Sequence, residues 1–390
     1  MELAQNGARR VLVLAIVQVF FATSGFSLLR PSIAAKLRYE LDAPAYLVTG
    51  FGSLLLLGRT LGSLVGGVYV VNIVRCFESI VQPLSALVIS LIIYYYSLLQ
   101  AHIPILILAF FQGLAAGFMW PLLQSMVAVS AGSKRAAYLT LYTGLGGLGL
   151  VNGYILYTVL GENVALKIMV ASIFYGIASL VAFIGLMFSY RSSCIPREQR
   201  RMGITFKDAI LVVLFSLMYG LLAGIGAEYS YLVVWEVVGL ERSLLGALYA
   251  IAFLAAAGID ILIARLARRY SEETLILMGL TIMFLTSLMG FLDPLLAIVS
   301  LGIYVAMVSA LLGVARSYSV KLGGEQNVSE ALALSNVASG IGVSLMQAIS
   351  GFIYVNLLSL GPKGPLLLYP AMSLLLIAVV TVYRRNCKSV

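Results

Sequence analysis

The stretch from Ile103 to Ala128 reads IPILILAFFQGLAAGFMWPLLQSMVA. It holds no charged side chain; its polar groups are Gln112, Gln124, Ser125 and the indole N–H of Trp120. A helix crosses the hydrocarbon core of a bilayer with about 20 mostly apolar residues, and this run is long enough. A membrane-barrel strand would instead alternate apolar and polar residues over about 10 positions. Working outward, further runs of the same kind lie at 11–35, 46–70, 79–99, 136–160, 165–190, 208–234, 243–267, 273–291, 295–318, 329–357 and 365–383. The expected fold class is an all-α membrane protein with twelve transmembrane helices.

The composition points the same way. Of 390 residues, 61% are hydrophobic and 11% charged, against about 25% charged in an average soluble domain. That excludes a water-soluble enzyme. Disorder needs low hydrophobicity and high charge, and is excluded too. The net charge of +9 is explained by topology rather than by nucleic acid. With the N-terminus in the cytoplasm, 18 of the 25 Lys and Arg fall on cytoplasmic segments, among them Arg9, Arg10, Lys134, Arg135, Arg265, Arg268, Arg269, Arg384 and Arg385. Such a bias orients membrane proteins, so both termini are expected in the cytoplasm of a cell whose plasma membrane the chain spans. The N-terminal apolar run is expected to be the first span rather than a cleaved signal.

A polar stretch opening at Arg191 divides the chain into a six-helix bundle 1–190, a cytoplasmic linker 191–207 and a second six-helix bundle 208–390. The halves resemble each other. A shift of 198 residues lays Arg30 on Glu228, and a shift of 196 lays Gly117 on Gly313, Gly144 on Gly340 and Gly146 on Gly342. Parallel six-span repeats are a transporter architecture with the substrate near the midplane.

Cys76, Cys194 and Cys387 fall on predicted cytoplasmic segments, so free thiols are expected. Zinc-ligand spacing, a phosphate-binding loop and a Ser/His/Asp constellation are absent from the sequence. No enzyme activity, catalytic residue, metal or cofactor is expected. Asn327-Val328-Ser329 fits a glycosylation pattern but lies on a predicted cytoplasmic loop.

Twelve spans, the six-plus-six division and a basic central loop resemble the major facilitator superfamily, over essentially the whole chain. The family's loop after span two, Gly-x-Leu-Ala-Asp-Arg-x-Gly-Arg-Arg, keeps only its first Gly and last Arg in Gly66-Gly67-Val68-Tyr69-Val70-Val71-Asn72-Ile73-Val74-Arg75. In the second half, residues 260–269 retain Arg265, Arg268 and Arg269. The family acid is replaced by Ala264, with Asp260 one turn earlier. These four are expected at an inner gate. Gln112-Gly113 matches the span-four motif, but Ala109 stands where the family's Arg does. The glycine-rich run Gly144 to Gly153 lacks the Pro of the antiporter motif, which argues against drug–proton antiport.

The resemblance implies a cavity lined by spans one, four, seven and ten. The expected substrate-binding residues are Gln18, Gln112, Trp120, Gln124, Tyr219 and Tyr304, with Ser309 beside them and Arg59 of span two. A Trp flanked by amides suits an organic solute with an apolar body; interhelical polar bonding is the alternative. Arg316 aligns with Trp120 at the 196 shift and reads either as a cavity residue or, near the inner end of its span, as the commoner positive-inside anchor. Charges in a bilayer cost about 2.5–3.5 kcal/mol each even on insertion scales and so mark function. Arg30 and Glu228 are expected to form a gate or coupling pair, with Glu228 the candidate proton carrier. His102 is expected to be a solvated loop residue, and Tyr94, Tyr95 and Tyr96 an interfacial belt.

The expected function is secondary transport by alternating access of a small organic solute, leaning anionic or zwitterionic, driven by protons or its own gradient. Efflux of apolar compounds and a non-transporting membrane protein are the alternatives. Lipids, the solute and protons are the expected partners of a monomer that binds no nucleic acid.

Overall fold

The computed structural model describes residues 2–65, 78–131, 135–189, 204–324 and 328–387. The loop motif 66–75, Cys76, Lys134, Cys194, most of the linker 191–207 and Asn327 lie outside the described residues.

In lipid every backbone N–H and C=O needs an internal partner, so long apolar runs become helices. The first half has α1 Glu2–Ala35, α2 Ala45–Val65, α3 Glu78–Leu98, α4 His102–Ala131, α5 Arg135–Val159 and α6 Val164–Ser189. The second half has α7 in two pieces, Phe206–Gly224 and Glu228–Leu232, then α8 Leu245–Leu266, α9 Glu272–Met289, α10 Pro294–Gly323, α11 Val328–Leu358 and α12 Leu368–Cys387. Among the described residues, eleven stretches are long and apolar enough to span a membrane. The remaining helix, α5, stands where 136–160 predicts a span. Local signals set several ends. Asp293 accepts the Leu295 N–H at 2.7 Å with Pro294 opening α10, and Gly324 closes it at φ 84°.

The described chain forms two compact units, Met1–Ala43 with Leu54–Gln199, and Pro44–Ser53 with Arg200–Val390. In the first, α1 packs on α5 and α6, and α3 packs on α4 and α6. In the second, α7 packs on α11, α9 on α10 and α12, and α8 on α10. Helices one and five of each half are therefore close neighbours, as are three and six.

The repeat is also written into the backbone. Each half has a π-helical turn after its first helix, at Lys36–Glu40 and at Val233–Val237. The Leu41 N–H bonds the Lys36 carbonyl at 3.0 Å, and the Ala43 N–H bonds that of Leu37 at 2.8 Å. In the second half the Val238 N–H bonds the Val233 carbonyl and the Leu240 N–H that of Val234, both at 3.0 Å. Asp42 at φ 52° and Gly239 at φ 75° occupy the same left-handed position between them. All these pairs share an offset of 197 residues. In that register Glu228 corresponds to Pro31, one residue beyond Arg30.

The glycines pack unevenly. Gly113 and Gly117 of α4 lie against the backbone of α2, a Cβ at Gly113 meeting the Leu55 carbonyl and coming within 2.9 Å of the Arg59 nitrogen. Gly58 and Gly62 return the contact against Phe110 and Leu114. Of the glycine pairs matched at the 196 shift, Gly146 and Gly342 both face the first helix of their half, but Gly146 makes only ordinary side-chain contact with Val19 at 3.5 Å while Gly342 abuts the Leu217 carbonyl of α7. Gly144 and Gly313 meet nothing within 4 Å among the described residues.

Candidate functional site

In the first unit, Arg59 lies in mid-α2, its guanidinium carbon 5.9 Å from the centre of the Trp120 ring on α4. The glycine contacts between α2 and α4 make that approach possible. Trp120 is half-buried against a cluster of Leu12, Ala15, Val19, Leu123, Val127 and Tyr142. The Tyr142 and Tyr175 hydroxyls are near enough to Arg59 to feel its charge. Gln18 is buried on α1, with its amide nitrogen lacking a hydrogen-bond partner among the described residues. Gln124 is exposed, and its amide lies toward the Tyr142 hydroxyl.

Gln112 behaves differently from its helix-mates. It is buried, and its carbonyl accepts the Tyr96 hydroxyl of α3 at 2.9 Å. That bond joins two helices. Tyr96 also departs from the expected interfacial belt: Tyr94 and Tyr95 are exposed, but Tyr96 is fully buried. Three consecutive tyrosines cannot lie on one helical face, so one of them turns inward. His102 is not a loop residue. It opens α4, and its Nδ1 is buried without a partner among the described residues. Arg30 lies with its guanidinium carbon 5.3 Å from the Phe26 ring centre.

In the second unit the principal departure from expectation is α7. The apolar run 208–234 predicts one continuous helix, but the chain turns at 225–227, with Ala227 at φ −122°, ψ −119°. The turn interrupts the helical ladder and frees carbonyls that lipid cannot satisfy. Hydroxyls take them up. Tyr304 donates to the Leu222 carbonyl at 2.9 Å, Ser230 to Ile225 at 2.7 Å, and Tyr249 to Gly226 at 3.1 Å. Ser230 also bonds the Tyr369 hydroxyl at 2.8 Å, and Tyr229 donates to the Pro365 carbonyl at 2.6 Å. Tyr304, expected to face a solute, is thus fully buried and supports the break. Tyr219 donates to the Val308 carbonyl at 2.5 Å.

Glu228 begins the second piece of α7 and is fully buried. Its Oε2 accepts from the Gln347 amide of α11 at 2.8 Å. The Gln347 carbonyl oxygen is buried without a donor among the described residues. Gly52, on the part of α2 that belongs to this unit, lies so close that a Cβ would strike the Glu228 carboxylate. Ser344, one turn before Gln347, donates to the Ser53 carbonyl at 2.8 Å.

Asp260 is exposed on α8. Arg265, Arg268 and Arg269 are exposed at and just past its C-terminal end, where cations complement the helix dipole. No ion pair joins Asp260 to them among the described residues. Ser309 is half-buried on α10.

A small recess opens between α7, α10 and α11, lined by Ser216, Tyr219, Arg316, Ser319, Ser335 and Ser339, with Phe215, Leu312 and Ala315. Arg316 is exposed on α10 and forms no hydrogen bond or ion pair among the described residues. Its position on the span suggests an anchor, yet its side chain lines this recess. The sequence carries a signal for it in helical spacing: Arg316 and Ser319, like Ser216 and Tyr219, are one turn apart and share a face. Among the described residues, no group of three His, Cys, Asp or Glu is placed to hold a metal ion.

Solved transporter structures share the arrangement of these helices. A variant of the nucleoside transporter NupG superposes with a TM-score of 0.77 at 11% identity, covering 95% of this chain and 99% of that one. A variant of the peptide transporter POT in complex with alafosfalin gives 0.76 at 13% identity, covering 95% and 94%. The POT family transporter PepTSo gives 0.76 at 11% identity, covering 97% and 98%. At these identities the likeness is one of fold. No curated protein sequence matches the chain. The family model of the Major Facilitator Superfamily matches residues 14–321. That match takes in most of the sequence, and both units repeat one pattern of helix packing. The chain therefore belongs to the major facilitator superfamily and is a multi-pass secondary transporter, not an enzyme.

Proposed function

We propose that the transported solute is a small organic molecule bearing an anionic group, moved across the plasma membrane by a protein with both termini cytoplasmic. The observation that carries this reading is Arg59, a guanidinium in mid-span 5.9 Å from the Trp120 ring centre. A cation in that position is costly to insert, and Arg presents a planar fork suited to carboxylate or phosphate. The indole offers an apolar surface to the rest of the solute. Gln18 and Gln124 supply neighbouring amides. The Gln112 carbonyl bond to Tyr96 supports a structural part for that residue.

The driving force is a proton gradient or the solute's own. Glu228 is the coupling carboxylate to test, with Arg30 as its opposing charge; the burial of Glu228 beside the Gln347 amide supports that choice. Asp260, Arg265, Arg268 and Arg269 are the candidate gate charges of the second half. Their exposure supports contact with headgroups or with one another as the cycle proceeds.

Uptake into proteoliposomes tests the reading, using a radiolabelled panel of organic acids, amino acids, sugar acids, neutral sugars, nucleosides and lipophilic cations. Acids or zwitterions are expected to move, with Arg59→Gln reducing their uptake at least about tenfold, as expected for loss of a charge-assisted bond. Movement of lipophilic cations or neutral solutes alone would overturn it.

A further inference from the structure

The serine hydroxyls in the recess of the second unit have a direction. Ser216 donates to Ser335 at 2.8 Å, Ser335 to Ser319 at 3.1 Å, and Ser319 to the Ala315 carbonyl at 2.9 Å. Each hydroxyl has one proton, so the chain runs from Ser216 toward α10. The Ser216 and Ser319 oxygens also approach to 3.2 Å, but the Ser319 proton is engaged by the carbonyl. Ser216, first in the chain, therefore keeps acceptor capacity. The recess presents a guanidinium without a protein partner among the described residues, which donates, and a serine oxygen that accepts. The charged groups near enough to act on the Tyr219 hydroxyl are Arg316 and Asp260, one of each sign. The recess is small and Ser216 is buried in it, so only a small polar end of a solute fits.

We propose that this recess seats the carboxylate end of a small hydroxy or amino acid, with Arg316 binding the carboxylate and Ser216 accepting from the neighbouring hydroxyl or ammonium. The inference rests on the anionic-solute reading and narrows it. An apolar or purely anionic solute would leave the Ser216 acceptor unused, and a neutral one would leave Arg316 desolvated without compensation. A purely structural serine cluster needs no guanidinium at its mouth.

The test uses the full-length purified protein with three probes of equal carbon number: lactate, alanine and propanoate. Calorimetric affinity and competition against uptake are read for the native chain and for Arg316→Ala, Arg316→Lys and Ser216→Ala. Size-exclusion elution and melting temperature exclude misfolding as the cause of any loss. Lactate or alanine is expected to bind several-fold more tightly than propanoate; which of the two leads tells hydroxyl from ammonium. Arg316→Ala is expected to weaken the preferred acid about ten- to hundredfold, with Arg316→Lys recovering part. Ser216→Ala is expected to weaken the preferred acid more than propanoate, narrowing the ratio between them. That ratio would not move if Ser216 only tied helices together. If the native protein moves organic acids and Arg316→Ala moves them with unchanged affinity, the recess assignment is overturned and the anionic-solute reading stands. If the native protein binds the three probes alike, the Ser216 assignment fails. If it moves no acid or zwitterion at all, both readings fall.

Discussion

The same substitution, Gly→Ala, is expected to have opposite signs at two places in the first unit. At Gly113 the new Cβ would meet the Leu55 carbonyl, with the Leu55 carbon at 2.8 Å and the Arg59 nitrogen at 2.9 Å. Ordinary contact begins near 3.4 Å. Every obstructing atom is backbone, so no rotamer change relieves the clash. Helices α2 and α4 must part by about half an ångström or more, and overpacking of this kind costs about 1–3 kcal/mol. At Gly144 nothing lies within 4 Å among the described residues, and replacing a mid-helix Gly by Ala gains up to about 1 kcal/mol. In a unit of this size 1 kcal/mol shifts the melting temperature by about 2–4 °C. Gly113→Ala should therefore melt about 2–12 °C below the native protein in detergent, and Gly144→Ala level with it or up to about 4 °C above. Because Arg59 lies on the displaced segment, Gly113→Ala should also slow solute uptake, whereas Gly144→Ala should not slow it through this contact. Equal melting of the two variants, or a less stable Gly144→Ala, would refute a backbone clash at Gly113 and open space at Gly144 as the deciding effects.

Other consequences are as concrete. Tyr304→Phe and Tyr249→Phe each remove a hydroxyl from a freed carbonyl at the break in α7. Each should cost about 1–3 kcal/mol and speed hydrogen exchange over 222–230, read by mass spectrometry. Arg30→Glu and Glu228→Arg should each reduce uptake by about an order of magnitude or more, as for a charge left unpaired in low dielectric. The double swap should recover a measurable fraction; no recovery would dissolve the proposed pair. Gly239→Ala, at φ 75°, should destabilise by about 1 kcal/mol, whereas Asp42→Gly at the corresponding turn should be neutral or stabilising in the same thermal melt.

The spans were legible because lipid imposes one rule on length and polarity together, and runs such as 103–128 obey it without exception. The break in α7 was not, because Gly220 to Ala227 is as apolar as any span interior. What permits the break is supplied from elsewhere: Tyr249 on α8 and Tyr304 on α10 reach carbonyls that one-dimensional reading cannot pair with them. Only Gly224, Gly226 and the nearby Ser230 hinted at it locally. Residue type misled at Tyr96 and left Gln112 open for a related reason. An amide on a span suits a cavity or a helix contact equally well, and the partner decides. Arg316 read as an anchor because inner-end arginines commonly are, whereas its place among Ser216, Ser319 and Ser335 depends on three helices meeting.

The repeat gives the break its meaning. Both halves keep the same π-helical turn, the same closing carbonyl bonds after it and the same left-handed residue, at one constant offset. Backbone geometry held through divergence where side-chain chemistry did not: Lys36, Arg38 and Glu40 correspond to Val233, Trp235 and Val237 in that register. Against this shared frame, α1 continues to its π turn as one helix, while α7 is interrupted at 225–227, immediately before Glu228.

An interruption present in one half of a repeat and absent from the other is not required by the shared backbone frame. It leaves the second half with freed carbonyls at Leu222, Ile225 and Gly226, which Tyr304, Ser230 and Tyr249 satisfy. What it provides is a helical segment that starts at a buried carboxylate and runs on through the π turn, with its peptide dipoles oriented to favour negative charge there. The Gln347 amide adds a bond to the same group. The asymmetry between α1 and α7 therefore falls where the two halves differ in charge, and the break and the carboxylate should fail together. Glu228→Gln should abolish uptake driven by an imposed proton gradient while leaving solute counterflow. Gly226→Ala meets no closer atom than the Ala223 carbonyl oxygen at 3.4 Å and gains up to about 1 kcal/mol of helix propensity, so it biases α7 toward the straight form. It should lower proton-driven uptake more than counterflow, as Glu228→Gln does. Full proton-driven uptake in Gly226→Ala, together with hydrogen exchange over 222–230 slowed to that of a continuous helix, would separate the break from coupling.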